Sequence, residues 1–476
     1  MMLRRLGTLA LLSALVPGFS FMNDPPVRRV ACLVRESGDG LVRSGAGTFP
    51  RELGRLLGPG YEVRRYRLGA YAGKRPFRES PPDQQWTSVP PGWLPDIVLV
   101  DPGIVDSTLD GAPPGTFTAD SLSNLVAEFR GVRSNPRVML LLPPAPPPGT
   151  PASDSLRVLV SLPRIRSVAF AAGTEVVDLY SLFLARGGGA VAQDLNSPGA
   201  AGVIAARLHE LIRAGQANGV DIAARAGLTG SESDYYGYRC LEFRFEGREA
   251  KIVRPKRIAP GCPWIWRARF WGHEPQTEIA LLERGFHVAY CDVAELFGNE
   301  EALAVWDRFY DTLTRGGLAR KAVLEGFSRG GFYVYRWALH RPSAVACVYA
   351  DAPVLDMKSW PGGKGKGGGN PVEWQRFKDD FHLASEEDAL RFRGNPLDLA
   401  PEIARGGYPM LHVCGLADVV VPFEENTAPF EKRIAGSGGR ISVIRKPGIG
   451  HHPHSLPNPQ PIVDFILSAI IGDPSR

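Results

Sequence analysis

The chain has 476 residues, 44% hydrophobic and 22% charged, with a formal net charge of +5 at pH 7. These are values of a globular protein long enough for two domains, each with its own core. The basic residues are dispersed rather than striped, and no nucleic-acid motif is present, so a polyanion partner is excluded as the leading reading.

Arg4 and Arg5 precede an apolar run from Leu6 to Val16, and Gly18-Phe19-Ser20 supplies small residues for cleavage. That is the pattern of a secretory signal peptide over residues 1–20, which predicts a secreted or periplasmic protein with no stable membrane insertion after cleavage. The run is too short to span a bilayer. An uncleaved anchor is the alternative. The six cysteines, Cys32, Cys240, Cys262, Cys291, Cys347 and Cys414, stand singly, which argues against a thiolate zinc site. Four of them fall in apolar runs and read as buried free thiols, although export would permit one disulfide. No metal site and no cofactor are expected.

Strands are expected at Val27–Val34, Tyr61–Tyr66, Pro95–Asp101, Arg137–Leu142 and near Glu175–Asp178, with helices at Phe49–Leu57, Ala119–Arg130 and Ala200–Ala214. PDIVLVD is a continuous apolar run of the kind found inside parallel sheets. Alternating strands and helices imply a three-layer α/β domain over residues 27–215. The stretches TFPRELGRLLGPGYEVRRYRLG, PDIVLVDPGIVDS, PRVMLLLPPAP and QDLNSPGAAGVIAARL make this half resemble the SGNH (GDSL-type) hydrolases, which are flavodoxin-like. That family's catalytic blocks are altered. Its Gly-Asp-Ser appears as Arg35-Glu36-Ser37. Its G-x-N-D block appears as Gly103-Ile104-Val105-Asp106, with valine at the oxyanion-hole asparagine. Its Asp-x-x-His appears as Asp194-Leu195-Asn196-Ser197, with serine at the base. A serine without a base is a poor nucleophile, and valine cannot donate a hydrogen bond. The resemblance therefore implies a fold kept for docking or support rather than for catalysis.

Residues 216–233 have little apolar periodicity and read as a linker to a second domain, 234–476. Tyr238–Phe245 and Arg248–Arg254 flank Glu246-Gly247 as a hairpin. Pro260 to Trp266 reads as a loop, Glu278–Arg284 and Glu300–Leu313 as helices, and His287–Asp292 as a strand. Ala344–Ala350, Pro409–Cys414 and Arg440–Arg445 are further strands. The glycine-rich insertion Pro353–Asn370 reads as part of a lid or as a surface loop, and Pro461–Ile471 as a closing helix.

Between them, Lys321–Pro342 reads as strand, sharp turn and helix, with the turn Gly326-Phe327-Ser328-Arg329-Gly330 matching G-x-S-x-G. An ordinary strand-to-helix turn is the bland alternative. Asp418 and His451 each follow a later strand end. The order Ser328, Asp418, His451 is that of a nucleophile, an acid and a base on an open sheet whose strand ends converge. Ser328 would attack a carbonyl carbon, His451 would take its proton, and Asp418 would orient the imidazole. His452 and His454 remain open as the base.

GFSRGG, CGLADVVVP and GIGHHPHSL make this half resemble the α/β-hydrolase superfamily, toward serine esterases and the prolyl-oligopeptidase-like branch. The whole chain is then expected to hold two three-layer α/β/α domains, an SGNH-like one followed by an α/β-hydrolase. The resemblance implies an oxyanion hole, assigned to the backbone N–H of Arg329 and of Trp266. Trp264, His273 and Trp360 are the expected substrate-binding residues, with plain packing as the alternative for the tryptophans. The expected activity is hydrolysis of carboxylic esters through an acyl-enzyme, on a small-molecule or glycan substrate. The alternatives are a peptidase and a binding protein that has lost catalysis.

Overall fold

The computed structural model describes residues 27–35, 48–68, 93–103, 118–145, 160–184, 198–217 and 220–471. The signal-peptide reading and the positions Ser37, Val105, Asp106, Asp194 and Ser197 lie outside these residues.

The first half builds a parallel sheet of five strands: β1 (Arg28–Arg35), β2 (Tyr61–Leu68), β3 (Ile97–Asp101), β4 (Arg137–Leu141) and β5 (Glu175–Val177), in the order β2-β1-β3-β4-β5. Strands covered on both faces carry continuous apolar runs, as IVLVD and RVMLL do. The covering helices are α1 (Phe49–Leu57), α2 (Ala119–Arg130), α3 (Leu162–Ala172), α4 (Leu179–Leu184) and α5 (Pro198–Arg213). In α2 the Thr118 side chain caps the N-terminus by accepting from the Ser121 N–H, and Leu122, Leu125, Val126 and Phe129 bury one stripe. Their core runs from Val30 to Ile212 and is closed on itself.

The second half forms a nine-stranded sheet. Its strands are β6 (Ser231–Tyr235), β7 (Tyr238–Phe245), β8 (Arg248–Arg254), β9 (Trp264–Arg267), β10 (His287–Cys291), β11 (Ala322–Phe327), β12 (Val345–Asp351), β13 (Met410–Gly415) and β14 (Ile441–Lys446). The order is β14-β13-β12-β11-β9-β10-β8-β7-β6. The β6-β7-β8 meander and the β8–β10 pair are antiparallel, and the rest is parallel. Both hairpin turns, Tyr236-Gly237 and Glu246-Gly247, have positive φ at both central residues, matching the twist of the strands they join. β6 begins in the stretch read as linker and runs past its expected end at residue 233. It is an exposed edge strand, so its sequence lacks an apolar face.

The helices are α6 (Ile222–Arg225), α7 (Gln276–Glu283), α8 (Glu300–Gly316), α9 (Arg329–His340), α10 (Pro371–Asp380), α11 (Glu386–Arg391), α12 (Ala400–Arg405), α13 (Thr427–Gly436) and α14 (Gln460–Ile471). Side chains of α8, α9 and α13 pack one face of the sheet, and those of α7 and α14 pack the other. All six cysteines are buried and free, so no disulfide forms.

The two halves meet through charge. Arg207 of α5 forms an ion pair with Glu283 of α7, whose Oε1 also accepts the Asp178 N–H, and Glu210 binds Arg284. Arg207 and Glu283 are nearly inaccessible, so removing one partner alone would strand a buried charge, at a cost of about 3–5 kcal/mol.

Candidate active site

Strand β11 delivers Ser328 to a turn that only small neighbours allow. Ser328 has φ 49° and ψ −121°, a left-handed backbone that a non-glycine residue adopts under constraint. The constraint is visible. Its N–H donates to the Asp351 carbonyl at 2.8 Å, and its own carbonyl accepts from Gly331 and Val354, both at 2.9 Å. A Cβ on Gly326 would lie 2.6 Å from the Gly330 carbonyl oxygen, and one on Gly331 would lie 2.3 Å from the Pro353 Cβ. Glycine at both positions is what lets strand, helix and the start of the glycine-rich insertion meet here.

The acid and base loops are stitched to each other. The Leu416 N–H donates to the Lys446 carbonyl and the Ala417 N–H to that of Ile449, so the turn after β13 and the loop after β14 move as a pair. Asp418 Oδ1 accepts from the N–H groups of Val420 and Val421 at 2.8 and 2.9 Å. Its Oδ2 lies 2.7 Å from His451 Nδ1, and His451 Nε2 lies 3.0 Å from Ser328 Oγ. The side chains of Asp418 and His451 are 1% and 9% exposed. With Asp418 Oδ2 accepting the Nδ1–H hydrogen bond, the Nε2 lone pair faces the serine hydroxyl. His452 and His454 are not placed this way. His454 is buried with Nδ1 on Asp351 Oδ1 at 2.9 Å, and His452 is exposed. Partial burial and then the neighbouring histidines hold the His452 ring below its usual range.

Arg329 opens α9, so its backbone N–H belongs to the first turn, where helices have no internal acceptor. Its side chain is buried, paired with Glu373 of α10 and lying 4.6 Å over the Phe297 ring.

Trp266 and Trp264 require correction. The segment read as a loop is strand β9, paired on one side with β10 and on the other with β11, with Trp266 opposite Leu324. Trp266 is therefore in mid-sheet rather than at a strand end, and is fully buried against Trp306 and Trp337, with ring centroids 4.7 and 5.0 Å away. Trp264 is fully buried too, stacked on Trp266, with Nε1 donating to the Ala319 carbonyl at 2.9 Å. Neither side chain can meet a substrate. The chain leaves the sheet at Ala268, whose N–H donates to the Glu325 carbonyl. The next amide is that of Arg269, and its nitrogen lies 3.8 Å from where a Gly330 Cβ would sit, against the first turn of α9. Arg269 is thus the better-placed candidate for the second oxyanion donor. The only signal for this strand was the short apolar run Trp264-Ile265-Trp266, obscured by the Pro260-Gly261-Cys262-Pro263 turn before it.

Arg267 fixes that loop. Fully buried, it donates to the carbonyls of Arg269, Phe270 and His273 at 2.8, 3.0 and 2.7 Å, and to Glu278 at 2.8 Å. Glu325 lies 3.5 Å from the same guanidinium. Burial, and then the charge of Glu278, push the Glu325 carboxyl well above the usual carboxylate range.

The glycine-rich insertion from Pro353 to Asn370 is held by side chains after β13. Glu425 accepts from Ser359 Oγ and from the Lys366 N–H, while Asn426 Oδ1 accepts from the Leu355 N–H. Trp360 is half-buried on an apolar cluster of Phe297, Phe332, Val354, Met357, Trp374 and Phe377. His273 is exposed and edge-on to His452 and His454, with ring centroids 5.6 and 5.9 Å away. These three histidines bring their ligand atoms within 4.8 Å of one another.

A nine-stranded, largely parallel sheet, with a strained serine after an inner strand and acid and base on loops after later strands, is an α/β-hydrolase-like fold. No family model matches the chain, and no curated protein matches it. Among solved structures, it is similar to the acylaminoacyl peptidase of Pyrococcus horikoshii, at 16% identity and a TM-score of 0.37, over 46% of this chain and 40% of that one. It is also similar to dipeptidyl peptidase 4 of Porphyromonas gingivalis, at 15% identity and a TM-score of 0.37, over 49% of this chain and 35% of that one. The chain thus spans less than half the length of either structure.

Proposed function

We propose that the chain is a serine hydrolase that cleaves carboxylic esters through an acyl-enzyme on Ser328. The supporting observation is the relay of 3.0 and 2.7 Å from Ser328 through His451 to Asp418. Ser328 Oγ attacks the carbonyl carbon while His451 Nε2 takes its proton, and Asp418 stabilises the resulting imidazolium. The oxyanion is assigned to the N–H of Arg329, in the first turn of α9, and to that of Arg269, in the loop that Arg267 holds. Collapse breaks the ester bond, and the leaving alcohol takes the proton from His451. Water, deprotonated by the same ring, then releases the acid. Exposed apolar side chains Leu416, Val419 and Val420 flank Asp418 and suit the apolar part of an acyl ester. The glycan reading loses Trp264, a fully buried core residue, as a substrate-binding side chain.

The experiment is hydrolysis of p-nitrophenyl acetate, with a peptide naphthylamide run in parallel, by wild type, Ser328→Ala and Ser37→Ala. Ester turnover is expected in wild type and in Ser37→Ala, with a loss of about 10⁴-fold or more in Ser328→Ala. Faster cleavage of the amide would make the chain a peptidase. Loss only in Ser37→Ala would move the chemistry to the first half.

A further inference from the structure

We propose that His273, His452 and His454 form a zinc-binding site at the rim of the Ser328 cleft, and that its occupancy slows hydrolysis. Imidazole nitrogens are favoured ligands of zinc, and three of them with one open position for water complete a tetrahedron. Zinc–nitrogen bonds of about 2.0–2.1 Å set the nitrogens of such a site about 3.4 Å apart. The three histidines already hold their ligand atoms within 4.8 Å of one another. His273 and His452 are exposed, so their rings can turn the remaining distance without disturbing the core.

Two further observations point to a cation. First, His454 is prepared as a ligand. Its Nδ1 is engaged by Asp351 at 2.9 Å, and that carboxylate is itself held by the Ser455 N–H at 2.7 Å and the Tyr349 hydroxyl at 3.1 Å. A carboxylate on one ring nitrogen fixes the tautomer and leaves Nε2 with its lone pair outward, as in carboxylate–histidine–zinc arrangements. Second, Glu274 Oε2 is buried and makes no hydrogen bond, and it lies 3.7 Å from His273 Nε2. A buried carboxylate oxygen without a donor is costly, and a dication beside it would remove that cost.

The placement explains the coupling. His452 and His454 sit on the same loop as His451, whose ring centroid is 5.0 and 4.9 Å from theirs. Arg267 fixes the backbone of His273 on the opposite side, so the cation would bridge two rigid supports. Zinc there carries the same sign of charge that His451 acquires during acyl transfer. Zinc binding is independent of the hydrolase reading; only its effect on turnover rests on it.

The test is calorimetric titration of the metal-free full chain with zinc chloride, repeated with His273→Ala and His452→Ala. One zinc per chain is expected, with binding weakened about tenfold or more by either substitution. Cobalt(II) in wild type should give the intense visible bands of a tetrahedral ion, a readout that needs no variant to fold. Equal binding in wild type and both variants, or a cobalt spectrum like that of the free ion, would overturn the site. Turnover is compared as the ratio of rates with and without zinc for each protein. The ratio should fall to about a tenth in wild type and stay near one in the variants. A ratio near one in zinc-loaded wild type would overturn the coupling. A wild type that hydrolyses nothing, while still binding zinc, would fail the hydrolase reading alone.

Discussion

Strands β9 and β11 lie side by side, with Trp266 opposite Leu324 and Arg267 opposite Glu325, yet their residues do opposite work. Strand β11 has Gly326 next to its end and α9 has Gly331 in its first turn, and the space these glycines leave is filled by the backbone of Gly330 and by Pro353. Strand β9 is filled with large residues, and its indoles wedge α8 and α9 against the sheet. Chemistry emerges where side chains are withdrawn so that a strained backbone can hold one hydroxyl forward. Rigidity comes from the neighbour, whose last residue, Arg267, holds the facing loop by three carbonyls.

The comparison can be broken at either strand. The largest effect after loss of the serine itself is expected for Asp418→Asn. The amide presents its N–H₂ or its carbonyl where a carboxylate held the His451 Nδ1 proton, so the ring takes the wrong tautomer. Ester turnover should fall about 10⁴-fold with an unchanged circular dichroism spectrum. Retention of more than a tenth of the rate would mean that Asp418 does not orient the base.

Trp266→Ala should act on the other side of the comparison. Removing a fully buried indole from between Trp306 and Trp337 should cost about 3–5 kcal/mol in urea unfolding. If Trp266 instead lined the substrate cleft, stability would hold and KM would rise.

The smallest effect is with pH. Burial holds His412 and His287 down to about 3 each, from an ordinary 6.5. Below pH 6.5 the unfolded chain takes up two protons that the folded one refuses, so stability falls as pH drops toward 3. The slope is about 1.4 kcal/mol per pH unit for each ring at most. Asp380 opposes this, because burial raises its carboxyl to about 6, so the folded protein takes that proton first as pH falls. Glu325, whose carboxyl burial also raises, opposes it in the same way, so the test is a difference between proteins: from pH 7 to pH 5 the urea midpoint of His287→Leu should shift upward relative to that of wild type.

Much of this was legible in the residues themselves. The turn at Ser328, the order of Asp418 and His451, and the apolar runs of β3, β4, β11, β12 and β13 follow from local pattern. What was not legible depends on contacts between distant segments. Strand β9 is only four residues long and buried on both faces, so it has no polar alternation to mark it. Helix α10 carries only Trp374 and Phe377 inward, against side chains from before α8 and after β12. His273 joins His452 and His454 only because the loop after β9 folds toward the loop after β14.

Covalent labelling of the folded chain with a fluorophosphonate, followed by peptide mass spectrometry, tests the central assignment without choosing a substrate. A single adduct on Ser328, absent after heat denaturation, is the predicted result. An adduct on a different serine, or none on native protein, would contradict it.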